Sequence, residues 1–207
     1  MGVQAFSDAA PAGAPVGKNY ESLANPCISA PIVPLTNDKS VLISSIGSLS
    51  AGGSTGGQIG IAWGWYMLSP NWAYLWPAGS HAAGYGTPHL HKIAILMTDG
   101  EYNSGYCNGV ISLDSGTGSG SPSDHINCNA PNGNSYVQSL KLCTAMKAAG
   151  VTVYTVGFNV IDSQSAVKLL SECASEPANF YSATNGNSLQ QAFRDIALKV
   201  STLYLTK

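Results

Sequence analysis

The sequence predicts an α/β fold, an open and mostly parallel sheet flanked by helices, on three observations. The first is the run Ile93-Ala94-Ile95-Leu96-Met97, which ends in Thr98-Asp99-Gly100. Five apolar residues running into turn chemistry read as a strand buried on both faces, as in a parallel sheet. The second is another segment that reads as a strand, over 151–157. The third is that segments of helical period lie before, between and after these runs, so the strands pair in parallel through right-handed crossovers. A chain of 207 residues is long enough for one sizeable core, and the expectation is a single domain over 1–207.

Residues 1–6 alternate apolar with small or polar side chains and read as a short strand. Residues 8–31 form a loop rich in Pro, Ala, Gly and Asn. Ile32-Val33-Pro34-Leu35 is extended, an edge strand at best because Pro34 has no amide hydrogen to donate. Thr36 or Asn37 caps a helix that carries Val41, Leu42, Ile46 and Leu49 on one face. After the glycine-rich turn at 52–57, a second helix runs through Ile59, Ala62, Trp63, Tyr66 and Met67 until Pro70 stops it. The aromatic, glycine-rich stretch 71–90 reads as a surface excursion. Strand 92–98 follows, and then a long polar insertion over 101–134, a length that marks functional or flexible loops. A helix over 135–149 ends at Gly150, which suits a left-handed cap. Then come strand 151–157, helix 163–174 and a short strand at 179–182. A last helix over 188–203 carries Leu189, Phe193, Ile196 and Val200 along one face.

Net charge is −2 and charged residues make up 10% of the chain, well below the usual quarter. That balance argues against a basic footprint for nucleic acid or a polybasic membrane patch. No run reaches the ~18 apolar residues that span a bilayer. The first residues have neither a basic region nor an apolar one of signal-peptide type, so no signal or membrane segment is expected in this chain. Its five cysteines are Cys27, Cys107, Cys128, Cys143 and Cys173. None has the CxxC spacing of zinc ribbons or thioredoxins. Cys107 and Cys128 flank a Gly/Ser-rich loop, as a staple would, and Cys143 and Cys173 fall on predicted helices. One or two disulfides formed in an oxidising compartment fit this pattern. Buried reduced thiols fit the helical pair equally well.

Asp99 stands at the carboxyl end of a predicted parallel strand, where open α/β sheets bind ligands. The plainer reading is that it caps a turn. Ser54 and Thr55 occupy a second glycine-rich turn. Hydroxyl and carboxylate oxygens are hard ligands suited to Mg²⁺, Mn²⁺ or Ca²⁺.

The order of an extended Pro34-Leu35-Thr36, a helix, the Gly53-Ser54-Thr55 loop, a helix, an apolar strand and Thr98-Asp99-Gly100 resembles a von Willebrand factor A domain. More closely, Ile32-Val33-Pro34-Leu35-Thr36-Asn37-Asp38-Lys39, Ala62-Trp63-Gly64-Trp65-Tyr66-Met67-Leu68-Ser69-Pro70-Asn71-Trp72 and Met97-Thr98-Asp99-Gly100-Glu101-Tyr102-Asn103 look like the C-terminal domain of TadG-type proteins. So do Leu142-Cys143-Thr144-Ala145-Met146-Lys147, the strand at 151–158 and Ala192-Phe193-Arg194-Asp195-Ile196-Ala197. TadG-type proteins belong to bacterial Tad (Flp) pilus assembly. The resemblance implies a von Willebrand A-like, Rossmann-type sheet and a non-enzymatic binding module, periplasmic or at the cell surface, with a membrane-anchored parent. Its implied partner is a pilus-assembly or surface protein, whose carboxylate takes the open position on a divalent ion.

That adhesion site draws on three loops: a D-x-S-x-S, a Thr matched by Thr55 and an Asp matched by Asp99, with Ser54 and Glu101 as nearby oxygen donors. The D-x-S-x-S should precede the strand matched by 1–6, and it is not found there. Asp114-Ser115-Gly116-Thr117-Gly118 places glycine where serine is needed and lies after the Asp99 strand. The expectation is therefore an N-terminally truncated domain in which strand 92–98 has an open edge. Its Mg²⁺ binding should be weak or absent, since hard cations want six or more oxygens.

Competing chemistry exists. Gly52-Gly53-Ser54-Thr55-Gly56 matches the G-x-S-x-G of serine hydrolases, with His81, His89, His91 or His125 as the base. That motif needs a strand immediately before it, and the segment there is helical in period. His89-x-His91 near Asp99 matches a zinc site of a metal hydrolase, against the reading of a solvated loop. Trp63 and Tyr66, three apart, read as a buried helix face. Trp72, Tyr74 and Trp76 lie outside the helix and form a candidate binding patch, carbohydrate stacking being one use.

Overall fold

A computed structural model describes residues 6–9, 30–50, 55–100, 102, 106–107, 110–111 and 134–203, with the backbone alone at 106–107, 110–111 and 203. At its centre is a parallel sheet in the order β1 (Lys92–Thr98), β4 (Val151–Phe158), β5 (Phe180–Ala183). β1 runs in register with β4 from Lys92 beside Val151 to Thr98 beside Gly157. Inside the 101–134 insertion, β2 (Tyr106–Cys107) and β3 (Val110–Ile111) pair antiparallel. Apart from Tyr102 and Asn134, the rest of that insertion lies outside the described residues, as do residues 1–5 of the predicted strand and most of the 8–31 loop.

Helices cover both faces of the sheet. On one, α2 (Gly57–Leu68), α3 (Ser135–Ala148) and α4 (Gln164–Cys173) bury Ile61, Trp65, Leu142, Met146 and Leu169 against Val151 and Val153. On the other, α5 (Gly186–Leu203) sets Ala192 and Ile196 against Tyr154 and Val156. β4 is central and buried on both faces, a place that its valines, Tyr154 and β-branched threonines suit. The helix ends follow their local chemistry. Asn134 Oδ1 accepts from the Val137 amide at 3.0 Å, and Ser163 Oγ accepts from the Ala166 amide at 3.2 Å. Gly150 ends α3 with φ at 88°. Lys147 Nζ donates to the Glu172 and Ala174 carbonyls at 2.8 and 3.1 Å, which satisfies the open end of α4. A disulfide joins Cys143 of α3 to Cys173 of α4.

Several expectations are corrected. β1 has the predicted bounds but is not buried on both faces: Ile95 is 45% and Met97 44% exposed. α5 packs over β4 and β5, and among the described residues β1 has a strand on one side only. Residues 32–35 form no strand. The N-cap of α1 (Lys39–Gly47) is Asp38, not Thr36 or Asn37, and its carboxylate accepts from the Ser40 amide at 2.8 Å. The apolar face predicted for α1 is exposed, and none of its residues is buried. α2 buries Gln58, Ile61 and Trp65 rather than Ile59, Ala62, Trp63 and Tyr66. That helix is apolar nearly all round, so its period cannot select a face. Phe193 lies at the rim of α5, outside the face centred on Ala192 and Ile196.

Candidate functional site

Thr55 and Asp99 lie toward the same end of the sheet because α2 runs antiparallel to β1. Lys92 Nζ, at the start of β1, donates to the carbonyl of Leu68, the last residue of α2, at 2.6 Å. Twelve helical residues rise about 18 Å, and seven strand residues span about 23 Å. The first turn of α2 therefore lies beside the last residues of β1. Thr55 stands two residues before α2, and Asp99 directly follows β1.

Tyr102 fixes this junction. It is 1% exposed, stacks on Tyr136 with ring centroids 5.5 Å apart, and lies flat against Gly57. A Cβ on Gly57 would meet the Tyr102 ring carbons at 1.9–2.2 Å. The glycine lets the Asp99–Tyr102 loop close on the helix that carries Thr55, a close approach only glycine permits. The Tyr102 hydroxyl is buried and has no hydrogen-bond partner among the described residues, and burial pushes its phenol above the ordinary range.

The turn at Asp99 is held by its neighbour. Thr98 Oγ1 contacts both the carbonyl and the amide of Gly100, at 3.1 and 3.4 Å. Asp99 itself is exposed, and its carboxylate makes no hydrogen bond or ion pair among the described residues. Turn capping thus falls to Thr98, and Asp99 is left open to solvent.

Ser54 and Glu101 lie outside the described residues, as do Cys128 and the side chain of Cys107. Among the described residues no group of three His, Cys, Asp or Glu side chains comes together. Thr55 and Asp99 offer one hydroxyl and one carboxylate, so these two donors alone do not fit a hard cation that takes six or more oxygens. His89 and His91 precede β1, about 23 Å of strand away from Asp99. A zinc site built from those histidines and Asp99 is thereby excluded. The segment before the Ser54 turn is α1, a helix and not the strand that a hydrolase elbow requires.

Sequence reasoning missed the polar cluster at the opposite end of β1. Asp8 Oδ2 accepts from Ser69 Oγ at 2.5 Å, Tyr85 OH at 2.7 Å and Asn71 Nδ2 at 3.3 Å. Trp65 Nε1 donates to Tyr85 OH at 2.9 Å, and Trp72 Nε1 to the Asp8 carbonyl at 2.8 Å. Lys92 Nζ also donates to the Ala83 carbonyl and lies 5.1 Å from the Tyr85 ring centre. These bonds tie the largely exposed 71–90 stretch to the core. Trp72, expected in an exposed patch, is buried there, whereas Tyr74 is 62% exposed. No spacing rule links Asp8 to residues some sixty positions on, so the sequence carried no signal for the cluster.

Burial and the Asp8 hydrogen bond push the Tyr85 phenol up to about 12, against about 10 in an unfolded chain. The neutral phenol is therefore the form the fold holds. Its contribution is complete below pH 10 and is lost as pH rises from 10 through 12. The melting temperature is expected to fall across that interval, and Tyr85→Phe should flatten the fall. Differential scanning calorimetry from pH 8 to 12 checks this.

These features define a three-layer α/β protein with a candidate ligand site at the carboxyl edge of a parallel sheet. The fold is similar to part of the pilus adhesin SpaC from Lactobacillus rhamnosus GG, with a TM-score of 0.52 and 17% identity. The similarity covers 78% of this chain and 21% of the adhesin. Neither a protein-family model nor a curated protein matches the sequence.

Proposed function

We propose that this chain is a non-enzymatic binding module acting in adhesion at the cell surface or in the periplasm, as the von Willebrand A-like part of a Tad/Flp pilus-assembly protein. The observation that carries the reading is that Thr55, just before α2, and Asp99, just after β1, fall at the same carboxyl end of the sheet, with Asp99 exposed. The fold likeness to part of a pilus adhesin supports it. So does the Cys143–Cys173 disulfide, which suits an oxidising compartment. No described helix is long and apolar enough to cross a membrane. In this reading the partner is a pilus-assembly or surface protein that presents a carboxylate.

Divalent dependence follows only where further oxygens join Thr55 and Asp99, and Ser54 and Glu101 are the nearest sequence candidates. With two donors, Mg²⁺ or Mn²⁺ is held weakly. Calorimetric titration of the chain with Mn²⁺ is expected to give an affinity no tighter than about millimolar, and none in Asp99→Ala. Supplying a D-x-S-x-S segment upstream should then tighten binding at least tenfold. An unchanged titration in Asp99→Ala, or no gain from the added segment, would sink the reading.

A further inference from the structure

We propose that the aromatic patch at the far end of α2 is a binding site for a neutral carbohydrate, with Tyr74 as the ring on which a sugar stacks. This goes beyond the adhesion reading and does not depend on the metal-type loops. The patch follows the last turn of α2, whereas Thr55 and Asp99 lie at its first.

The rings form one ordered stack. Tyr66 and Trp72 are near-parallel, 12° apart in plane with centroids at 3.9 Å, and Tyr74 continues the series at 6.1 Å and 25° from Trp72. Trp63 meets Trp72 and Trp76 edge-on at 6.0 and 6.4 Å. Trp72 is pinned by its indole hydrogen bond to the Asp8 carbonyl. Ser69 Oγ accepts from the Asn71 amide at 3.1 Å, which starts the 3-10 turn Pro70–Leu75 that carries Trp72 and Tyr74. Tyr74 is the end of the stack that faces solvent. A ring held this way loses little freedom when a ligand lands on it.

Charge decides the class of ligand. From Ser40 to His91 the sequence has no Lys, Arg, Asp or Glu, yet it holds all four tryptophans. Asp8, the acid bonded to this stretch, is already taken up by Ser69, Tyr85 and Asn71. Protein interfaces draw heavily on Arg beside Trp and Tyr, and anionic polymers need Lys or Arg. Neither is present. What remains is an aromatic face with neutral polar groups around it. Asn71 and His81 are exposed, and one His81 ring nitrogen lies 3.0 Å from the Trp76 carbonyl, leaving the other for a ligand. A pyranose ring presents C–H bonds on its faces and hydroxyls on its rim. The C–H groups suit the electron-rich ring face, and the hydroxyls suit an amide and an imidazole.

The test is titration of the full chain with cellohexaose, chitotetraose and maltohexaose, read by tryptophan fluorescence, in EDTA at low and high salt. At least one sugar is expected to bind with an affinity that neither salt nor EDTA alters. Tyr74→Ala should weaken it about tenfold, equivalent to about 1.4 kcal/mol, at an unchanged melting temperature, and Tyr74→Phe should restore it. Failure of all three sugars to bind overturns the proposal, as does full binding by Tyr74→Ala. Sugar-independent self-association that Tyr74→Ala abolishes would assign the patch to a second copy instead. Because EDTA is present throughout, failure here leaves the Asp99 reading standing, and failure of the Mn²⁺ titration leaves this one.

Discussion

Replacing both Cys143 and Cys173 with alanine is expected to lower stability by about 3.5 kcal/mol and the melting temperature by roughly 7–14 °C. The bond closes a loop with a sequence separation of 30, and the chain-entropy relation gives that figure for a loop of such length. For a fold with a total stability of about 5–15 kcal/mol, the loss is a large fraction. The two sulfurs join α3 to α4 over the face of β4, and both cysteines are at most 1% exposed. A reductant therefore reaches them only after the helices part. Dithiothreitol without denaturant should leave the bond intact for hours, whereas the same treatment in urea should reduce it at once. Mass spectrometry after alkylation, beside thermal melts of the double variant, checks both parts. Ready alkylation of the native protein would contradict the packing described.

Gly57→Ala is expected to cost about 3 kcal/mol, a large effect for adding one methyl group to a helix. Elsewhere in a helix the same change gains up to about 1 kcal/mol. Here the new carbon would overlap the Tyr102 ring, and that ring is buried and stacked on Tyr136 in the core. Overpacking of this kind costs about 1–3 kcal/mol and occasionally more. A double-mutant cycle isolates the cause. Tyr102→Ala alone should cost about 3–5 kcal/mol through the cavity it leaves. On that background Gly57→Ala should become neutral or stabilising, a coupling of at least about 2 kcal/mol. Additive effects would mean that the glycine is required for some other reason. The same contact aligns the Thr55 and Asp99 loops, so Gly57→Ala should also weaken whatever Mn²⁺ binding the chain has.

Much of the fold was legible because strong local patterns and the tertiary structure agree. The run ending at Met97, the run from Val151 and the Gly150 stop each carry their own cause: continuous apolar side chains, β-branched residues in an extended stretch, or a backbone angle that glycine accepts. The helices around β4 have capping residues that announce their starts, as Ser163 does. The candidate site was half legible. Asp99 and Thr55 stood out as oxygen donors beside turns, but only the antiparallel course of α2 against β1 put them at one end of the sheet. Tyr102 and Asp8 escaped notice. A lone tyrosine in a polar stretch and a lone aspartate in a loop have no periodicity to mark them.

Periodicity also failed where a segment is apolar all round. In α2 it favoured the Trp63–Tyr66 side, and packing chose Ile61 and Trp65, because α3 and β1 lie on that side. In α1 it predicted a buried face where none exists. The sequence by itself determined the alternation of strands and helices, the parallel sheet, the low charge and the residue types at each turn. These depend on chemistry within a few positions along the chain. Which helix face is buried, which loops meet, that Cys143 and Cys173 are joined, and that Trp72 is hidden while Tyr74 is open were decided only in three dimensions. Each depends on distant segments competing for the same surface, and no local pattern encodes which of them wins.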